Sequence, residues 1–122
     1  MKVVDSAGWL EYFTGGSLGP IYREHVTPLD VIVPTIVIYE VCKFIRLHAS
    51  IEQAREALVA MEKRVVIDLY GDLAGQAAVV SLRYKLPMAD AIIYATATAC
   101  GADLITSDAH FKDLPRVTYI PK

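Results

Sequence analysis

The chain has 122 residues, which is the length of one domain, so we expect a single domain over residues 1–122. Hydrophobic residues make up 54% of the sequence and charged residues 21%, a balance that excludes intrinsic disorder. The 12 Lys and Arg residues against 14 Asp and Glu residues give a formal net charge of −2, which excludes a strongly basic coat for nucleic acid. Any contact with nucleic acid must therefore be local.

Neither the apolar stretches nor the cysteines indicate a membrane or secreted protein. No stretch reaches the roughly 20 apolar residues of a membrane-spanning helix. The N-terminus meets Asp5 at once, unlike a signal peptide. Cys42 and Cys100 are too few for a disulfide scaffold, and we interpret them as reduced core residues. We therefore expect a cytoplasmic protein without membrane contact.

Short β-type runs alternate with helical stretches along the chain. The predicted strands are Lys2–Val4, Asp30–Val33, Val65–Ile67, Asp103–Thr106 and Val117–Ile120. The predicted helices are Ser6–Phe13, Leu18–His25, Thr35 to about Ala49, Ser50–Lys63, Gly71–Tyr84 and Met88–Cys100, with Ser6, Thr35 and Ser50 as N-caps. The first three strands are apolar without polar alternation, which is typical of strands buried on both faces of a parallel sheet. This order predicts an open α/β sandwich whose site lies off the carboxyl ends of the strands.

Four acids stand among apolar neighbours, where a carboxylate is costly unless it is paired, metal-bound or protonated. Asp5 ends the first strand, Glu40 lies early in the helix after the second strand, Asp90 begins the last helix and Asp108 follows the fourth strand. Each has an ordinary alternative interpretation, as a turn residue, a helix cap or, for Glu40, an ion pair with Lys43. In a parallel α/β sandwich, however, all four belong to one rim.

Carboxylates that converge on one rim repel each other and stay ionised together only with a divalent cation between them. Oxygen ligands without His or Cys favour a hard ion, which means Mg²⁺ or Mn²⁺. Such an ion generates hydroxide from bound water and neutralises a phosphoryl oxygen. The pattern therefore indicates hydrolysis of a phosphodiester or a phosphomonoester.

The sequence resembles the PIN domain nucleases over essentially its whole length, and among them the VapC-type toxins of prokaryotic toxin–antitoxin pairs. Two segments carry most of the resemblance: Leu86–Ala97 (LPMADAIIYATA), which contains Asp90, and Leu104–Phe111 (LITSDAHF), which contains Asp108. The first strand with its acid and the acid in the third helix complete the pattern. The resemblance implies a PIN-like, three-layer α/β/α sandwich with a central, mostly parallel sheet.

The resemblance also implies a Mg²⁺-dependent endoribonuclease, with Mn²⁺ as the alternative ion. Metal-activated water would attack phosphorus and leave 5′-phosphate and 3′-hydroxyl ends. Asp5 and Asp90 would be the principal metal ligands, and Glu40 and Asp108 would complete the cluster directly or through water. Asp103 is the alternative to Asp108 for the fourth position.

Several polar side chains are candidates for supporting roles. Thr106 and Ser6 would hold a ligand or a metal-bound water, unless they are only turn or cap residues. Lys43 and Arg46 follow Glu40 at helical spacing and are candidate phosphate contacts for RNA, with a solvated helix edge as the alternative. Two further basic side chains flank Asp108: His110 and Lys112.

The resemblance implies two protein partners, namely a second copy in a homodimer and a VapB-type antitoxin that inserts a segment near the acids. Apolar side chains that would form a groove for this segment, unless they are core, are Tyr12, Phe13, Tyr22, Phe44 and Leu47. Two other functions stay open: a PIN-fold nuclease that processes RNA or cleaves DNA, and a non-catalytic PIN-like binding module.

Overall fold

Five short strands form one sheet in the computed structural model, which describes residues 1–122, and every neighbouring pair of strands is parallel. The strands are β1 (Lys2–Val4), β2 (Ile32–Pro34), β3 (Val65–Ile67), β4 (Asp103–Thr106) and β5 (Val117–Tyr119). The helices are α1 (Ser6–Thr14), α2 (Gly19–Val26), α3 (Thr35–His48), α4 (Ile51–Glu62), α5 (Gly71–Tyr84) and α6 (Met88–Ala99), with a 3₁₀ turn at Ala109–Phe111. The predicted elements therefore all exist, with boundaries that differ by at most two residues.

Only one of the three predicted N-caps is confirmed. The Ser50 hydroxyl accepts a hydrogen bond from the Gln53 backbone N–H at 3.0 Å and caps α4, as predicted. Ser6 and Thr35 were wrong as N-caps because each is the first residue within its helix. The cap of α1 is the carboxylate of Asp5, and α3 begins after Pro34 without any side-chain cap.

The strand order is β3-β2-β1-β4-β5, so the chain moves outward from β1 to β3 and then returns to the other side of β1. Because crossovers between parallel strands are right-handed, this reversal places α1–α4 on one face of the sheet and α5 and α6 on the other. The predicted α/β/α sandwich is confirmed, and its sheet is wholly rather than mostly parallel. The reversal leaves a crevice at the carboxyl ends of β1 and β4, where open sheets bind ligands.

The core lies on both faces of β1 and β2, which are buried as their apolar sequences predicted, apart from the exposed Lys2. The same prediction was wrong for β3, which is only partly buried because it forms an edge of the sheet. The largest fully buried side chains include Trp9, Tyr22 and Phe111. Cys42 and Cys100 are unpaired and partly buried. None of the helices combines the length and apolar character needed to cross a bilayer.

Candidate active site at the sheet reversal

Two of the four predicted acids follow the neighbouring strands β1 and β4. Val4 lies opposite Ile105 in the register of these strands, so both strands end at the same level. The Asp5 backbone N–H continues the ladder by donating to the Ile105 carbonyl at 3.0 Å. Asp108 lies two residues beyond the end of β4. The topology alone therefore brings two carboxylates from distant parts of the chain to the crevice.

Asp5 is the most buried of these acids, with only 3% of its surface exposed. One carboxylate oxygen accepts from the Ser6 backbone N–H at 2.8 Å, and the other accepts from the Thr106 hydroxyl at 2.8 Å. Burial raises the pKa of Asp5 from 3.8 to about 6, and the nearby Asp90 and Asp108 add to this rise while the hydrogen bonds oppose it. Asp5 is thus held in place by hydrogen bonds, but its ionised form costs free energy in the folded protein.

The fully buried Thr106 hydroxyl joins the two strand ends. It donates to the Asp5 carboxylate and accepts from the Asp108 backbone N–H at 3.0 Å. A single hydroxyl therefore satisfies one acid and fixes the turn that carries another. The supporting roles predicted for Thr106 and Ser6 stay predictions, and the Ser6 hydroxyl makes a long contact of 3.5 Å with Asp5.

Asp90 and Asp108 approach each other around the imidazole of His110. The Nδ1 atom of His110 lies 3.2 Å from an oxygen of Asp90 and 3.2 Å from an oxygen of Asp108, and the three ligand atoms lie within 4.8 Å of one another. Asp108 also accepts from the His110 backbone N–H at 2.9 Å, which caps the 3₁₀ turn. Desolvation and then Asp108 raise the pKa of Asp90, and His110 opposes this rise.

Glu40 approaches the same crevice from the first half of α3. Desolvation raises the pKa of Glu40, the neighbouring Asp90 adds to the rise, and the nearby Ser6 hydroxyl opposes it. Its Oε1 atom is buried and has no hydrogen-bond partner. An ionisable oxygen without a partner is uncommon in a protein interior and calls for a ligand, an ion or water. We refer to Asp5, Glu40, Asp90 and Asp108 together as the acidic cluster.

The acidic cluster fits a divalent cation in its chemistry and its electrostatics. Asp90, Asp108 and His110 each offer a ligand atom within 4.8 Å of the other two, a group that does not include Asp5 or Glu40. Carboxylate oxygens with one imidazole nitrogen suit Mg²⁺ or Mn²⁺. Mutual repulsion contributes to the raised pKa values of Asp5, Glu40 and Asp90, so a positive charge among them would be favourable. The unpartnered Glu40 oxygen is a further donor for such an ion.

The structure separates the two alternatives for the fourth acid. Asp103 begins β4, at the opposite end of that strand from the crevice, and its carboxylate pairs with Arg116 at 2.9 Å. Asp108 lies at the crevice and acts electrostatically on both Asp5 and Asp90. Geometry therefore brings Asp108, and not Asp103, into the acidic cluster.

Three residues near the site were missed or treated otherwise by the sequence analysis. The Tyr22 hydroxyl and the Ser107 hydroxyl form a buried hydrogen bond of 2.6 Å, which anchors the turn between Thr106 and Asp108. Because Tyr22 is fully buried, it is wrong as a groove residue for a partner, and burial raises its pKa to about 12. His110 was considered only as a basic neighbour of Asp108, since sequence cannot show that it turns back onto Asp90.

The other predicted contact residues lie on α1 and α3. Phe13 and Phe44 line a cavity of about 530 Å³ between α1 and the α3–α4 pair. Tyr12 is partly buried against the core, while Leu47 is exposed. Lys43 and Arg46 face a different groove on the other side of α3.

Comparisons with known proteins agree with this geometry. The sequence model of the PIN domain matches residues 2–117. A chain from a toxin–antitoxin complex of Klebsiella pneumoniae is 24% identical, with a TM-score of 0.84 over 97% of this chain and 96% of that one. VapC20 of Mycobacterium tuberculosis, described as a toxin that cleaves the sarcin–ricin loop, is 17% identical, with a TM-score of 0.80 over 96% and 97%. A chain of VapBC2 from Rickettsia felis, bound to promoter DNA, is 15% identical, with a TM-score of 0.76 over 98% and 97%.

No curated protein matches the sequence. At these identities the structural matches show the fold, whereas the family rests on the sequence model, which covers nearly the whole chain. The resemblance stated on the motifs around Asp90 and Asp108 is therefore confirmed. This chain, with its parallel sheet and its acids gathered at the sheet reversal, belongs to the PIN domain family.

Proposed function

We propose that the protein is a metal-dependent endoribonuclease that acts as the toxin of a VapBC-type toxin–antitoxin pair. The observation that carries this proposal is the acidic cluster, whose four acids come from separate elements and act electrostatically on one another, and in which a buried oxygen of Glu40 has no hydrogen-bond partner. Membership of the PIN domain family supports a nuclease, and the similarity to chains described as VapC toxins supports the toxin role.

In this proposal Asp5 and Asp90 are the principal ligands of Mg²⁺ or Mn²⁺, and Glu40 and Asp108 complete the site directly or through water. A bound divalent ion supplies two kinds of chemistry here: it lowers the pKa of a bound water and it neutralises charge on the phosphate. Hydrolysis would then leave 5′-phosphate and 3′-hydroxyl ends.

The protein's own contribution is to hold these groups in place before substrate arrives. Thr106 fixes the orientation of the Asp5 carboxylate, and the backbone N–H of Ser6 holds its other oxygen. His110 contacts both Asp90 and Asp108 through its Nδ1 atom, at 3.2 Å from each carboxylate. Rigid placement of charged ligands lowers the reorganisation needed during reaction. We assign Ser6 a weaker supporting role because its hydroxyl contact is long.

The proposed partners have candidate surfaces on the helices. The cavity lined by Phe13 and Phe44 lies between the C-terminal parts of α1 and α3, and its partly apolar lining suits an apolar segment of an antitoxin. A second copy could cover the exposed apolar side chains of α5 and the start of α6, which are Val79, Leu82 and Met88. We propose the cytoplasm as the compartment, in accord with two unpaired cysteines.

The nuclease proposal is tested by incubating structured RNAs with the wild type, Asp5→Asn and Asp90→Asn in Mg²⁺, Mn²⁺ or EDTA. Cleavage should require the metal and both carboxylates. The matched control is Asp103→Asn, because this acid lies at the other end of β4 and should be dispensable. Cleavage in EDTA by a variant that carries both Asp5→Asn and Asp90→Asn would reject the assignment of the site.

Two further measurements separate the toxin from the other functions. Expression of a toxin should arrest growth, and a neighbouring gene product should relieve the arrest, whereas an RNA-processing enzyme should not behave in this way. Parallel assays on single-stranded DNA test the DNA-cleaving alternative. A protein that binds metal but cleaves no RNA or DNA would be a non-catalytic binding module.

A further inference from the structure

A basic groove lies on the outer surface of the helix pair α3 and α4. It encloses about 550 Å³ and is lined by Ile38, Tyr39, Cys42, Lys43, Arg46, Ile51, Ala54, Arg55 and Leu58. We refer to it as the α3–α4 groove. Its floor is apolar, and its rim carries three cations and no acid, in a chain whose net charge is −2. The α3–α4 groove is therefore a local concentration of positive charge on an otherwise slightly acidic protein.

The charge of this groove differs from that of the cavity beside Phe13. That cavity lies on the other side of α3 and is lined by Glu56 together with apolar and neutral polar residues. The lining of the α3–α4 groove instead carries three cations, Lys43, Arg46 and Arg55, and no acid. Complementarity therefore favours a polyanion here and an apolar peptide segment in the cavity.

Tyr39 gives the groove a feature that simple charge would not provide. Its side chain is 57% exposed, although it belongs to a helix with a buried face. The Lys43 ammonium lies 5.6 Å from the centre of the Tyr39 ring and 3.4 Å from its hydroxyl. One part of the ring is thus beside a cation, while the rest remains free to contact a planar group. Aromatic rings of this kind, placed next to cations, stack on the bases of single-stranded nucleic acids.

The groove also contains the α3 residues that are next to Glu40 in the helix. Tyr39 precedes Glu40 in α3, and Lys43 lies three residues after Glu40, so both flank the helix position that contributes to the acidic cluster. Arg46 continues the line of cations along α3, and Arg55 faces it from α4. A nucleic-acid strand that runs from the acidic cluster along α3 would therefore meet the Tyr39 ring first and then cations on both sides.

We propose that the α3–α4 groove binds the single-stranded RNA that flanks the cleaved bond, with Tyr39 stacking on a base and Lys43, Arg46 and Arg55 contacting phosphates. This proposal rests on the proposed ribonuclease function and adds a path for the substrate. It assigns Tyr39 and Arg55, which the sequence analysis did not select, as substrate-binding residues. A second copy of the chain or an antitoxin segment are the other occupants, and the test below distinguishes them.

The test measures the binding of a fluorescein-labelled, unstructured RNA 10-mer to the full chain by anisotropy, in EDTA, over a series of salt concentrations. One variant carries Lys43→Gln, Arg46→Gln and Arg55→Gln together, and another carries Tyr39→Leu. The matched control carries Arg23→Gln, Arg83→Gln and Lys85→Gln, three exposed cations on α2 and at the end of α5. Both triple variants change the net charge equally, and circular dichroism checks that every variant is folded.

The two kinds of variant should have different signatures. Each phosphate contact to a single strand contributes about 0.7 to the slope of log affinity against log salt, so the groove triple variant should lose about 2 from this slope. The control triple variant should keep the slope of the wild type. Tyr39→Leu should weaken binding roughly 5- to 150-fold without changing the slope, because stacking contributes about 1–3 kcal/mol per base and involves no counterion release.

Equal slopes for the groove and control triple variants would overturn the proposal, as would unchanged affinity for Tyr39→Leu. If the groove variants instead altered the oligomeric state measured by light scattering, or antitoxin binding, while RNA binding stayed constant, the groove would belong to a protein partner. A parallel cleavage assay in Mg²⁺ distinguishes a failure of this inference from a failure of the proposed ribonuclease function. Cleavage by the wild type with no effect of the groove variants would reject only this inference, whereas no cleavage by the wild type would reject the proposed function.

Discussion

Replacing Asp5 by Asn should stabilise the metal-free protein while it abolishes the proposed activity. Asn has nearly the same shape as Asp, and its amide oxygen can still accept from the Ser6 backbone N–H. The negative charge disappears, and with it the cost of ionising a carboxyl group that is 97% removed from solvent, since only 3% of its surface is exposed. We therefore expect that Asp5, a residue of the proposed active site, destabilises the metal-free protein.

The magnitude follows from the raised pKa of Asp5, which moves from 3.8 to about 6 on folding. One pKa unit corresponds to about 1.4 kcal/mol, so ionised Asp5 costs the folded state about 3 kcal/mol at pH 8. The folded protein binds the proton more tightly than the unfolded chain. The stability from this group is therefore fully present below pH 3.8 and is lost as the pH rises through about 6. Asp5→Asn should not lose this stability as the pH rises.

Thermal unfolding in EDTA, followed by circular dichroism between pH 3.5 and 8, measures the effect. The two proteins should be similar at pH 3.5, and Asp5→Asn should unfold roughly 6–12 °C higher at pH 8. Asp30→Asn, which changes an exposed acid, is the matched control and should behave as the wild type. Saturating Mg²⁺ should stabilise the wild type and not Asp5→Asn. An Asp5→Asn protein no more stable than the wild type at pH 8 would refute the reasoning.

Three further substitutions test single contacts. Thr106→Val removes a buried hydroxyl that bonds both Asp5 and a backbone N–H, and should lower the free energy of unfolding by about 2–4 kcal/mol in urea titrations. His110→Gln should weaken Mn²⁺ binding about tenfold, and Mg²⁺ binding less, in calorimetry, because the imidazole lies within ligand distance of two acids. Gly8→Ala should destabilise the protein by about 1–3 kcal/mol in the same urea assay, because a Cβ there would overlap the Tyr22 ring.

Each of these substitutions has a matched control elsewhere in the chain. Thr118→Val changes an exposed strand residue and should be nearly neutral, so an equal loss in both Thr variants would contradict the role of the buried hydroxyl. His48→Gln should leave the affinities for both ions unchanged. Gly75→Ala lies on an exposed helix face with no atom near the new Cβ and should stabilise by about 1 kcal/mol. The same sign for both Gly variants would contradict the packing argument.

Secondary structure was largely readable from sequence because its signals are local. Apolar runs rich in Val and Ile marked the strands, Ser50 marked the start of α4, and Pro87 preceded α6. The two motifs that contain Asp90 and Asp108 were equally local, and they were sufficient to indicate the PIN domain family. The failures were also informative: β3 has the same apolar pattern as β2, but a three-residue pattern cannot reveal that a strand lies at the edge of a sheet.

The roles of the acids depended on contacts that span the chain. Asp103 and Asp108 are five positions apart and look alike in sequence, yet β4 carries them to opposite ends of the sheet, where one meets Arg116 and the other meets Asp90. The direction of β4 therefore determines which of the two acids lies at the crevice. The same holds for His110, whose ring turns back over a residue that precedes it by 20 positions.

The sequence by itself determined the elements, their α/β order and the presence of four acids among apolar neighbours, because each of these depends on residues within a few positions of one another. Only the tertiary structure decided that Thr106 bonds Asp5 across 101 positions, that Tyr22 anchors Ser107 and that Tyr39 lines one groove with three cations. Burial, and therefore the pKa of Asp5 and the unpartnered oxygen of Glu40, is a property of the surroundings that the whole chain builds. The physical reason is that solvent exclusion and electrostatic repulsion depend on distances in space. Those distances are set only when the strand order reverses at β1 and brings distant residues together.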